Sequence, residues 1–230
     1  MFDPILETSS FSACYSLSVN KVSGKGFQLS SEVALRDYLR DRVMALWVDE
    51  PGTVQFEKAL EGIIRTNFHR TQIAEVFEKP HLPESWQIGE LLAQCLLEDM
   101  KGASFPWNVL RDLRSPNASL PGADIIGLVS TPSGVRFLFG EVKVSSDLSA
   151  PPGVMYGRTG MVKQLETLRD SRRNRHLLFR WLSYRMIGRE QWLSLFQEAA
   201  NAYISSSGSN VVLVGVLIRD TGCGNLLADT

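Results

Sequence analysis

Two carboxylates and an ammonium, Asp124, Glu141 and Lys143, fall where the sequence reads as a β-hairpin. Its strands run from Asp124 to Ser130 and from Val135 to Val144, joined by Thr131, Pro132, Ser133 and Gly134, a set with the composition of a turn. If Ser130 pairs with Val135, counting outward sets Asp124 opposite Glu141, with Cβ atoms ~5 Å apart. Strand side chains alternate, so Lys143 leaves the face that Glu141 leaves, and Val142 points the other way. Facing carboxylates repel and weaken a hairpin unless a cation lies between them. Hard oxygen ligands of this kind suit a divalent ion, which polarises a phosphate and lowers the pKa of a bound water, as hydrolysis of a phosphodiester at neutral pH requires. The alternative is a plain Asp/Glu/Lys salt-bridge cluster at a sheet end. Ile125, Ile126, Leu128, Val129, Phe137, Leu138, Phe139, Val142 and Val144 make both strand faces apolar. The charges are therefore expensive unless paired or coordinated.

The elements that must hold this hairpin can be read on either side of it. Ala13 to Val22 alternates apolar and polar residues and predicts a strand or hairpin. From Ser30, the residues Val33, Leu35, Leu39, Val43, Met44, Leu46 and Trp47 recur at helical spacing, and Pro51-Gly52 is expected to end that run. A second helical stretch is expected over Val54 to Phe77. Pro80 and Pro83 interrupt the pattern, so a helix should start near Glu84 or Ser85 and cover Trp86 to Met100. It carries one apolar stripe of Ile88, Leu91, Leu92, Cys95 and Leu96 and a second of Trp86, Ala93 and Leu97, which predicts burial on two faces. Residues 102–123 and 145–160 read as loops rich in Gly, Pro, Asn and Ser. Helices are expected over Met161 to Arg169 and through Leu177 to Ile204 with a break near Gly188. Val211 to Ile218 is a nearly continuous apolar run rich in β-branched residues, the pattern of a strand covered on both faces.

These elements predict an α/β fold: a mixed sheet core flanked by helices, with a mainly helical N-terminal region over residues 1–83 and the core over residues 84–230. At 230 residues and 44% hydrophobic, the chain buries a full core. A net charge of −1 means that any nucleic-acid surface is a local patch. Cys14, Cys95 and Cys223 are odd in number and widely spaced, which excludes a disulfide framework and a paired-ligand zinc site. There is no secretory leader pattern and no run approaching ~20 apolar residues, so the expected compartment is the cytoplasm. No Gly-rich phosphate loop is present, which excludes an ATPase of the chain's own. His69 and His81 lack metal-ligand spacing and read as structural.

Gly122-Ala123-Asp124 heading one strand and Gly140-Glu141-Val142-Lys143 ending the next resemble the PD-(D/E)XK nucleases of restriction-endonuclease type, over about residues 84–170. Pro121 precedes Gly122 and not the aspartate, a departure from the simplest form of the motif. The resemblance implies that Asp124 and Glu141 bind Mg²⁺ (or Mn²⁺) and that Lys143 positions the attacking water and stabilises charge on the phosphate. It further implies an acidic residue on the helix before the hairpin, for which Glu90 stands as a third metal ligand. A polar residue on the following helix, for which Gln164 stands, should face the site. The alternatives are a surface glutamate and a glutamine bonded at the core edge. Arg169, Arg172, Arg173 and Arg175 open a dense basic region that continues through Arg180, Arg185 and Arg189 and encloses His176. Its guanidinium forks suit the phosphate backbone of DNA, double-stranded by expectation; the alternative is a solvated helical face. In length, helical N-terminal region and hairpin position, the chain is also similar to the nuclease subunit of the Hachiman anti-phage system. That similarity implies a DNA endonuclease of little sequence specificity, held in check by a helicase partner. The rival readings are a catalytically silent nuclease-fold scaffold and an RNase.

Overall fold

The structure is a computed structural model, and it describes residues 11–20, 22–77, 82–113 and 122–220. Pro80, His81, Pro121 and Cys223 lie outside the described residues. The described residues begin with an antiparallel hairpin of β1 (Phe11–Val19) and β2 (Val22–Leu29). Helix α1 (Glu32–Tyr38), a π-helical turn over Leu39–Val43 and α2 (Met44–Val48) follow as one winding stretch. The N-terminal region is thus a hairpin plus helices, which corrects the expectation of a mainly helical one.

Pro51-Gly52 does not end the first helical run as expected. Asp49 takes a left-handed conformation (φ 53°), closing α2, and its side chain accepts from the Gly52 amide to open α3 (Glu50–Leu60). Proline suits that first turn, where its missing N–H has no partner to lose. The expected helix over Val54 to Phe77 is divided, with α4 beginning afresh (Asn67–Phe77).

Next comes α5 (Ser85–Lys101), where expected. Its two apolar faces serve two layers. Leu91, Leu92 and Cys95 pack with Tyr38, Val43 and Trp47 from the N-terminal helices. Ala93 and Leu97 pack under the main sheet. That sheet contains β3 (Ala103–Ser104), β4 (Ile125–Thr131), β5 (Gly134–Ser145) and, after α6 (Met161–Asp170), α7 (Arg172–Arg185) and α8 (Glu190–Ser205), the strand β6 (Val211–Arg219). Its order is β3-β4-β5-β6, antiparallel except for the parallel pair β5 and β6. One face meets α5, and the other meets α6, α7 and α8 around a ring cluster of Phe137, Phe179, Phe196 and Tyr203. The result is a mixed sheet between helical layers.

Two further expectations are refined. Helix α7 starts at Arg172, earlier than Leu177, because Ser171 caps it by accepting from the Asn174 amide. Strand β6 does pack on both faces, Val211 and Leu213 on one and Val212, Val214, Val216 and Ile218 on the other. It is nevertheless only half-buried, because among the described residues it forms the sheet edge.

Candidate active site

The β4–β5 register is the one counted from the sequence: Ser130 faces Val135, and the ladder runs to Ile125 opposite Gly140. Asp124 comes one step further, where the ladder has ended, and its carboxylate accepts from the Val142 amide at 2.8 Å. A strand end without a ladder partner thus has one backbone donor satisfied by the side chain of the candidate ligand. Glu141 belongs to β5, is 3% exposed, and accepts from Lys143 Nζ at 2.7 Å, so the two share a face as alternation requires. Val142 turns to the opposite layer.

Glu90 reaches the same end of the sheet from α5. Gly89 makes the approach possible, because a Cβ there would lie 2.3 Å from Val144 Cγ2. Burial, followed by the charges of Asp124 and Glu141, pushes the Glu90 carboxyl up to about 8, with Lys143 opposing. Glu141 is also raised: burial is the main cause, its hydrogen bond from Lys143 opposes it, and the Asp124 carboxyl adds to it. Three acids and one lysine leave an excess of negative charge in a poorly solvated place.

A cleft of about 1330 Å³ lies over these groups, and Glu90, Asp124, Glu141, Lys143 and Gln164 all line it. The structure thus brings together all five residues singled out around the hairpin. Gln164 has its amide nitrogen committed to the Thr159 carbonyl at 3.0 Å, which anchors the start of α6. Among the described residues, no group of three or more His, Cys, Asp or Glu side chains is arranged to hold a metal. Asp124 Oδ2 accepts from Val142 and Glu141 Oε1 from Lys143, and the Asp124 and Glu141 carboxyls also hydrogen-bond to each other, a contact that needs a proton and that a divalent ion would replace. That donor set fits Mg²⁺, which is commonly held by one or two carboxylates while keeping several waters.

The arginines separate into different roles. Arg175 is 7% exposed and donates to the carbonyls of Gly208 at 2.7 Å and Leu168 at 2.6 Å, and to that of Arg169. It ties α6, α7 and the loop after α8 together, which corrects its placement on a nucleic-acid face. Arg169 is exposed and pairs with Asp170 at 2.7 Å. Arg172, Arg173 and Arg180 do line an open surface, with His176 and Leu177. Arg185 is held by Asp112 at 2.8 Å and stacks 4.0 Å from the Trp181 ring centroid. His69 accepts from the Arg65 amide, a structural role as expected. Cys14 and Cys95 are free thiols.

Sequence reasoning did not single out Trp86, Asn174, Leu177, Trp181 and Tyr184 as lining the cleft. A signal existed in α7, where Arg173, Leu177, Arg180 and Tyr184 recur at helical spacing as an exposed stripe.

Fold and site together define an α/β protein whose mixed sheet presents two carboxylates and a lysine at the floor of a cleft. The profile of the HamA family matches residues 9–208, and the chain belongs to that family. That family belongs to a defence system that includes a partner, which relates the chain to Hachiman anti-phage defence. No curated protein and no solved structure matches it. Among the described residues, no helix is long and apolar enough to cross a membrane.

Proposed function

We propose that the protein is a metal-dependent nuclease that hydrolyses phosphodiester bonds of DNA and serves as the effector of its defence system. The observation that carries this reading is the pairing of Lys143 with a nearly buried Glu141, beside Asp124, on the floor of one cleft. Asp124 and Glu141 would hold Mg²⁺ or Mn²⁺, with Glu90 facing it from α5. The bound ion would supply Lewis-acid polarisation of the phosphate and a more acidic water. Lys143, anchored by Glu141, holds its ammonium toward the cleft, where it orients the attacking water and offsets charge growing on the phosphate oxygens. Gln164 borders the same space and orients the substrate.

Contacts of arginines to the phosphate backbone carry no base information, so cleavage is of low sequence specificity. A helicase partner would restrain or deliver the activity, in keeping with the family's place in a defence system that includes a partner.

The test is cleavage of plasmid and linear DNA with Mg²⁺ or Mn²⁺, with and without the partner. Lys143→Ala should lower the rate by about 10²–10³-fold, the range for removing one charge-stabilising donor, and Glu141→Ala should abolish it. Equal rates for the parent and both variants would overturn the assignment. RNA in the same assay separates a ribonuclease.

A further inference from the structure

We propose that the cleft over Asp124, Glu141 and Lys143 is a path for a single nucleic-acid strand, with Tyr184 as a base-stacking platform and Arg180 as a phosphate contact. This inference rests on the nuclease reading for its direction, and on the shape and lining of the cleft for its substance.

The walls differ from those expected around a duplex. Leu110, Leu113, Leu177 and Leu178 line the cleft, together with the rings of Trp86, Trp181 and Tyr184. Its volume, about 1330 Å³, exceeds the range of small-ligand pockets (~300–1,000 Å³). Apolar and aromatic walls suit exposed bases, whereas a duplex offers its phosphates and asks for a basic rim. Stacking on aromatic rings is tolerant of sequence, because every base has a π-face.

The cations lie where the backbone of such a strand would leave. Leu177 and Arg180 line both the cleft and the adjoining open surface of Arg172, Arg173 and His176. Tyr184 is 66% exposed, one helical turn beyond Arg180 on the same stripe of α7. A polyanion threaded from the Asp124–Glu141–Lys143 floor past Tyr184 therefore emerges onto three arginines. The lining thus supplies base contacts inside and phosphate contacts outside, the combination that single-strand grooves use.

The test is fluorescence anisotropy in EDTA, so that no cleavage occurs, with a labelled oligothymidylate strand of ~16 nucleotides, a length within known single-strand site sizes. The matching duplex and an oligouridylate serve as comparisons. The single strand should bind at least about tenfold more tightly than the duplex. Tyr184→Ala should weaken it about five- to tenfold while leaving duplex binding unchanged. Arg180→Ala provides a second exposed position and should weaken the strand with no change in melting temperature. Equal affinity for strand and duplex, or full affinity in both variants, overturns the proposal. The oligouridylate arm decides between DNA and RNA as the source of the strand. The outcomes separate from those of the nuclease reading: strand binding that depends on Tyr184 without metal-dependent cleavage leaves the path and removes the enzyme. Metal-dependent cleavage of the single strand that is indifferent to Tyr184 does the reverse.

Discussion

Glu90 and Glu141 show what happens to a carboxyl moved out of water beside other carboxyls. Both are held above the usual carboxylate range, Glu90 at about 8, by burial first and by neighbouring negative charge next. A carboxyl whose folded pKa is raised keeps its proton in the native state when the unfolded chain has already released it. Its contribution to stability is then complete below the ordinary value of 4.5 and is lost as pH climbs towards about 8. The metal-free protein should therefore melt at progressively lower temperature between those limits, and Glu90→Gln should flatten the trend in a calorimetric pH series. Mg²⁺ competes with those protons, since its ligands must be ionised, and should raise the melting temperature most at the alkaline end. A pH-independent melting temperature in the parent would contradict the burial of these charges.

At the scale of elements, close backbone approach sets the geometry. A Cβ on Gly140 would come within 2.3 Å of the Val214 carbonyl oxygen, so β5 and β6 meet only because that position is glycine. Gly140→Ala should force β6 away from the residue preceding Glu141 and cost ~1–3 kcal/mol, the range for overpacking. Denaturant unfolding measures that cost, and an unchanged midpoint would show that the strands can adjust. Arg175 works between elements too, since its guanidinium satisfies the last carbonyls of α6 and that of Gly208. Arg175→Ala should lower the melting temperature by several degrees, at ~2–4 °C per kcal/mol for a chain of this size. Arg173→Ala, on an exposed arginine of the same helix, should leave it unchanged. Equal melting temperatures for the two variants would put Arg175 back on the surface.

For the whole molecule, a formal charge of −1 gives no general attraction to a polyanion. Strand binding along the proposed path would then depend on the exposed arginines of α7, and its salt dependence would report how many phosphates they neutralise. Three cations, Arg172, Arg173 and Arg180, correspond to a slope of log K against log salt of about −2 for a single strand, at ~−0.7 per charge. A salt titration of strand affinity measures it. A slope several times steeper would indicate a wider basic surface, completed by the partner or by residues outside this stripe.

The sequence by itself determined the hairpin and its register. Period-two alternation, a four-residue turn and two apolar faces leave no freedom in which side chains share a face, so Asp124, Glu141 and Lys143 were legible as a set. It also determined the two-sided burial of α5, because two apolar stripes on one helix demand two cores. The tertiary structure alone decided which side chains from distant segments enter the cleft. Arg175 and Arg173 are the same residue type two positions apart, yet one is locked inside against carbonyls while the other faces solvent. Composition cannot separate them, because the difference lies in the path of the loop around Gly208. The half-exposed edge of β6 and the joining of Trp86, Trp181 and Tyr184 around one cleft are likewise products of packing. Local pattern fixes which way a side chain leaves its own element, but only the meeting of elements fixes what it then faces.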